Sequence, residues 1–242
     1  MSSNGRRGDG PGRHDGRRHA ILALDTATSR VVLGLASPAG EPVGLSSWPA
    51  GHRHGEQLLS SIARLLGENN VRRSRLDGIV VGTGPGAFTG LRVGIATAKG
   101  IAHGLGLPIA GIPTSDALIA AAAAAEQVPD SRIVLLLPAG PNDRVVARRG
   151  TPARLLPAGE EPVVGPSDIL VAVDLEGRAA PDTVGRGERA RADLAREMLR
   201  LGAARLSAGE PDDLAELVPE YVTLPRGVAV AVGEVGWSRG PR

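Results

Sequence analysis

The stretch Gly82-Thr83-Gly84-Pro85-Gly86-Ala87-Phe88-Thr89-Gly90-Leu91-Arg92-Val93-Gly94 decides how this chain is read. It follows a short apolar run at 77–82 that fits a strand. It precedes residues 89–103, which can form a helix capped by Thr89. Glycines at a strand-to-helix junction allow close backbone approach, and the N-terminus of the helix presents N–H groups without intrahelical partners. That is anion-binding geometry. The turn lacks the Gly-Lys-Ser/Thr ending of a P-loop, and its Gly-x-Gly-x-Gly order is not the Gly-x-Gly-x-x-Gly of a dinucleotide fold. On these residues alone, phosphate contact and plain packing both stay open.

Upstream of the turn, residues 21–26 and 31–37 are two β-branched, leucine-rich runs separated by a polar break, which predicts a β-hairpin. A third short strand fits 42–47, followed by a loop at Trp48-Pro49-Ala50-Gly51. Leu58, Leu59, Ile62, Leu65 and Leu66 then recur at the spacing of an amphipathic helix over 54–67, with Gly67 as its stop. Downstream of the turn, 108–112 reads as a strand, and Pro113-Thr114-Ser115-Asp116 starts an alanine-rich helix reaching Gln127. Strands first, then helix and strand in alternation, indicate a mixed sheet with helices packed on it.

The pattern begins afresh after 128. Residues 133–137 and 145–149, joined by Gly140-Pro141-Asn142-Asp143, predict a second hairpin, 169–173 a buried strand and 188–201 a helix facing inward through Leu194, Met198 and Leu201. The expected organisation is a disordered tail (1–19), an N-terminal lobe (20–128), a smaller C-terminal lobe (129–225) and a loose tail (226–242) in which 228–235 can add an edge strand. Both halves open with a hairpin, although no internal repeat is obvious.

Composition narrows the function classes. An apolar content of 42% with 22% charged residues fits a soluble globular protein with a real core. No run is long and apolar enough for a membrane anchor, and 1–19 has no apolar h-region. With no cysteine there is neither a disulfide framework nor a thiolate metal site, which fits the cytoplasm. The pI of about 9.8 comes from the tail. There Arg6, Arg7, Arg13, Arg17 and Arg18 face only Asp9 and Asp15, so the remainder is not basic. Arg72, Arg73 and Arg75 read as a solvated loop after a helix, and direct RNA binding is not supported.

The string from Gly82 to Ser115, GTGPGAFTGLRVGIATAKGIAHGLGLPIAGIPTS, resembles the signature of the TsaB family, GPGSFTGLRIG followed by AKGLA, LP and a PTS segment. Ala87 and Val93 are the departures within its first stretch. Residues 21–28, ILALDTAT, resemble the family's opening strand, and His54-Gly55-Glu56-Gln57-Leu58-Leu59 resembles its HSE..L helix start, with glycine for serine. The resemblance covers about residues 20–120. Beyond that, Leu137-Pro138-Ala139-Gly140 stands where the family has an Asp-Ala-Arg run, and Pro219-Glu220-Tyr221-Val222 loosely resembles its terminal P.Y.R motif.

The resemblance implies an α/β, two-lobed actin-like or ribonuclease H-like fold whose second lobe is short and diverged. It also implies a role in making threonylcarbamoyl-adenosine beside the anticodon of tRNA. There the catalytic subunit TsaD transfers the threonylcarbamoyl group, TsaB is its related partner, and the ATPase TsaE joins the pair. TsaD carries a His-x-x-x-His metal pair; here that place reads Gly111-Ile112-Pro113-Thr114-Ser115-Asp116, and no two of the 5 histidines have that spacing. His52 and His54 flank a helix start, where an exposed or capping role competes with an adventitious metal. The expectation is no metal and no cofactor held by this chain, with ATP or ADP and metal on the partner subunits.

Asp25-Thr26 stands where actin-like ATPases place a phosphate and Mg²⁺ contact, and it equally fits an Asx-type turn. Asp25, Thr26, Gly84, Gly86 and Thr89 are therefore the candidate nucleotide-adjacent residues. Gly90, Gly94 and Ala98 form a small-residue stripe that admits another backbone or packs on the chain's own sheet. By resemblance, the two helices would join those of TsaD through Leu58, Leu59, Ile62, Leu65, Gly90, Arg92, Gly94, Ile95 and Ala98. No catalytic residue is expected. tRNA would be met indirectly, and a homodimer could form in the absence of TsaD. The alternative is an independent small-molecule kinase or metallo-acyltransferase of the same fold. A peptidase finds no nucleophile, and Asp212-Asp213 lies in a stretch expected to be solvated.

Overall fold

The computed structural model describes residues 19–51 and 54–222. The expected N-terminal tail apart from His19, His52, and the C-terminal tail with its candidate strand at 228–235 lie outside the described residues. Three antiparallel strands come first: β1 (Ala20–Asp25), β2 (Arg30–Ala36) and β3 (Pro42–Pro49). Trp48 therefore belongs to β3, opposite Val31, and not to a loop. Helix α1 (His54–Glu68) leads to β4 (Leu76–Gly84), which pairs parallel to β1, and α2 (Phe88–Leu105) leads to β5 (Ile109–Pro113), parallel to β4. The sheet order is β3-β2-β1-β4-β5.

Helix α3 (Thr114–Glu126) connects to a second sheet of β6 (Ile133–Ala139), β7 (Asp143–Arg148), β8 (Thr151–Leu156) and β9 (Ile169–Ala172). Its order, β8-β7-β6-β9, repeats that of β3-β2-β1-β4, with the same antiparallel and parallel pairings. The chain is thus a duplicated two-lobed α/β fold. Among the described residues the second copy is reduced, since no helix stands between β8 and β9 and its sheet shows no fifth strand.

The alternation of a strand explains how the layers are stacked. On β1, Leu22 and Leu24 face one side with β2's Leu33 and Leu35, and they meet Leu58, Ile62 and Leu65 of α1 and Ile95, Ala98 and Ala102 of α2. Ile21 and Ala23 face the other side, into a core shared with α3 and with Ile133, Leu135 and Val145 of the second sheet. Because β1 is covered on both faces, all six of its residues are buried. The alanines of α3 allow close packing on a helix buried nearly all round.

The last helical region corrects the expected single helix over 188–201. It is two helices, α4 (Pro181–Ala192) and α5 (Leu194–Ser207), broken at Asp193. Leu194, Met198 and Leu199 all lie on α5, which returns to pack across β1, β2, β4 and β5. Helix α4 is more polar and sits against β9. A Cβ on its Gly187 would lie 1.8 Å from the carbonyl oxygen of Ala172, so only glycine permits that approach. Thr89 does not cap α2; the N-cap is Ala87, with no side-chain hydrogen bond. Among the described residues no helix is long and apolar enough to cross a membrane.

Candidate functional site

The glycine-rich turn closes on the end of β1. The Ala87 N–H donates to the carbonyl of Ala27 at 2.8 Å, and the Thr26 hydroxyl donates to the carbonyl of Gly90 at 2.7 Å. The two backbones approach so closely that a Cβ at Gly90 would lie 2.1 Å from the Thr26 carbonyl oxygen, and one at Gly94 2.2 Å from Thr26 Oγ1. The small-residue stripe Gly90, Gly94 and Ala98 is therefore buried against the chain's own β1 and sheet.

Asp25 lies beneath this seam, fully buried. One carboxylate oxygen accepts the Ala27 N–H at 2.9 Å, as in an Asx turn, and the other accepts the Thr114 hydroxyl at 2.6 Å. Thr114 Oγ1 in turn accepts the Gly84 N–H at 3.1 Å. The group thus joins β1, the turn and the start of α3. Burial raises the Asp25 pKa above 3.8; the hydrogen bonds from Thr114 and Ala27 oppose the shift, and the negative charge of Asp174 adds to it. Thr114 was legible only as part of a helix start; nothing in its spacing pointed to Asp25.

A cleft of about 590 Å³ opens between the lobes beside the seam, lined by Thr26, Ser29, Phe88, Thr89, Pro138 and Asp174 among others. Of the candidate nucleotide-adjacent residues, Thr26 and Thr89 reach it. Gly86 lines a smaller pocket with Pro85, Pro138 and Tyr221, while Gly84 packs against Leu91 and the backbone of Glu220. Among the described residues no group of three or more His, Asp or Glu is placed to hold a metal.

The segment after α5 straps the lobes together. Asp212, expected to be solvated, instead accepts the Gly111 N–H at 2.6 Å and pairs with Arg205 at 3.0 Å. The Glu220 N–H donates to the Thr83 carbonyl at 2.7 Å, and Glu220, Tyr221 and Val222 line a small pocket together with Pro138, Ala139 and Val145 of the second lobe. Tyr221 then meets Phe88 with ring centroids 5.1 Å apart, and Arg92 lies 3.9 Å from the Phe88 centroid while donating to the Tyr221 hydroxyl at 3.0 Å. The chain's one phenylalanine and one tyrosine, far apart in sequence, thus form one cluster.

On the opposite side, α1 and α2 flank a largely apolar groove of about 900 Å³ that includes Leu59, Ala63, Leu66, Ile101 and Leu105. Leu58, Ile62, Leu65, Ile95 and Ala98, expected at a partner interface, are buried in the chain's own core. Leu59 is 60% exposed and Leu105 40% exposed. Leu105 fell outside the expected set because the helix was taken to end at 103.

Comparison with known proteins places this arrangement. The family described as TsaD, tRNA N6-adenosine threonylcarbamoyltransferase, matches residues 47–176, just over half of the chain. An uncharacterized protein of Mycobacterium tuberculosis is 37% identical over 103 residues, 40% of this chain and 47% of that protein. The tRNA threonylcarbamoyladenosine biosynthesis protein TsaB of Haemophilus influenzae is 33% identical over 123 residues, 51% of this chain and 50% of that protein. The chain spans about half the length of these two curated relatives. The solved structure of YeaZ from Pseudomonas aeruginosa superposes with a TM-score of 0.65 at 22% identity, covering 84% of this chain and 99% of that one, a likeness of fold.

Gly94→Ala should destabilise the chain by about 2 kcal/mol in urea unfolding. Thr26→Ala should relieve part of that loss, because it removes the oxygen in the way, whereas it should not rescue Gly90→Ala, whose clash is with a carbonyl. Equal rescue of both variants would contradict this geometry. For Asp25 the folded state holds its proton more tightly than the unfolded chain does. Its contribution to stability is therefore greatest at low pH and is lost as pH rises from 3.8 through the raised folded value. Asp25→Asn should lack this pH-dependent loss when unfolding is followed against pH; Asp25→Ala, which strands two donors, should cost about 1–3 kcal/mol.

Proposed function

The chain belongs to the TsaD family of tRNA N6-adenosine threonylcarbamoyltransferases, and on that premise we propose that it is a TsaB-type partner subunit. It pairs with a TsaD protein for threonylcarbamoyl transfer to the adenosine beside the anticodon and performs no transfer itself. The observation that carries this reading is the groove between α1 and α2. An apolar surface of that kind, with leucines exposed on both rims, is costly in water and suits a helical partner.

The same reading assigns the remaining parts. ATP or ADP and metal belong to the partner subunits, TsaE joins the pair, and tRNA is met through the assembly in the cytoplasm. Alone, two copies pair through the groove. An independent kinase would need its Asp25 carboxylate turned toward a nucleotide, and here both its oxygens are engaged within the fold. That supports the partner over the enzyme.

The experiment is co-purification with the same organism's TsaD. Leu59→Asp and Leu105→Asp, made on exposed positions, should each weaken the pair by about tenfold or more while leaving the melting temperature of the chain unchanged. Ile62→Asp, in the core, should instead lower the melting temperature. Failure of the wild-type proteins to associate at micromolar concentration, or full binding by the Leu59→Asp/Leu105→Asp double variant, would overturn the proposal.

A further inference from the structure

The interlobe cleft holds a cluster that the partner reading does not use. Ser29, in the turn between β1 and β2 of the first lobe, donates both its N–H and its hydroxyl to the Asp174 carboxylate, each at 2.5 Å. Arg191 of α4 reaches the same carboxylate and also donates to Ser29 Oγ at 2.7 Å. The Asp174 side chain is only 11% exposed, and that of Arg191 17%. A carboxylate from just after β9 is thus held by a main-chain N–H, a hydroxyl and a guanidinium, drawn from both lobes.

These donors are the set that proteins use for phosphate oxygens. The surroundings favour an anion as well. The first turn of the 18-residue helix α2 lines the same cleft through Phe88, Thr89 and Gly90, and it has neither a side-chain cap nor an acidic residue. Arg30, the next cation along, is committed to Ser47. Asp174 takes up the left-handed backbone, φ 57°, which asparagine, aspartate and glycine tolerate best.

We propose that Asp174 is a built-in anion: its carboxylate occupies a phosphate-type site formed by Ser29 and Arg191 and so clasps the two lobes shut. The chain keeps this site filled from within, so it takes no phosphate group of its own. Removing the carboxylate empties the site and makes it available to inorganic phosphate. The inference does not rest on pairing with TsaD, because it concerns the chain alone.

Asp174→Gly is the direct variant, since glycine fits the left-handed backbone without strain. The full chain is melted and titrated with inorganic phosphate against chloride at matched ionic strength. The wild type should show no specific response. Asp174→Gly should gain binding, about tenfold or more tighter than any wild-type response, with a melting temperature that rises with phosphate. The Asp174→Gly/Arg191→Gln double variant should lose that gain. Should Asp174→Gly be unfolded without phosphate, recovery of its melting transition on adding phosphate supports the proposal, and no recovery overturns it. A response no larger than that of the wild type, or one that survives loss of Arg191, also overturns it.

Discussion

The close approach of the end of β1 to the first turns of α2 is the constraint on which the rest of the molecule depends. Thr26 meets Gly90 and Gly94 at distances that exclude a Cβ, and Asp25 beneath them ties the same strand end to Thr114 at the start of α3. Fixing α2 there sets its register on the sheet. That register turns Ile95, Ala98 and Ala102 inward, and it leaves the outer faces of α1 and α2 to form the groove. The glycines thus serve packing first. A phosphate cradle is not needed to explain them.

The buried carboxylate at the centre of this seam has a cost. Desolvation raises its pKa, and the hydrogen bonds from Thr114 and Ala27 offset part of that penalty. An apolar residue would strand the Ala27 N–H and the Thr114 hydroxyl in the core. The carboxylate is therefore best understood as the acceptor that lets three chain segments meet with their polar groups satisfied. A second carboxylate, Asp174, meets donors from both lobes in a similar way, nearer the surface.

Much of the first lobe was legible because its signals are local. The leucine spacing of α1, the apolar runs of β1, β2 and β4 and the helix start at Thr114 each announce one element. The second lobe was harder to read. Strand β8 opens with Thr151-Pro152 on an exposed edge and carries little apolar pattern, and the break at Asp193 between α4 and α5 is marked by neither glycine nor proline. The duplication of the sheet was hidden because the second copy lacks the helix before its fourth strand. Contacts decided by tertiary structure left no signal at all: Thr114 with Asp25, Ser29 with Asp174, and Phe88 with Tyr221 are separated by up to 145 residues. Of the apolar α1 residues expected at the interface, spacing alone could not tell which faced the core; Leu58, Ile62 and Leu65 do, and Leu59 does not.

The proposed pairing puts the partner on the outer faces of α1 and α2. Hydrogen–deuterium exchange of the chain with and without TsaD measures that most directly. Pairing there should add protection over His54–Glu68 and Phe88–Leu105, with little change around Ser29 and Asp174. Protection confined to the interlobe cleft, with both helices exchanging as they do in the free chain, would contradict it.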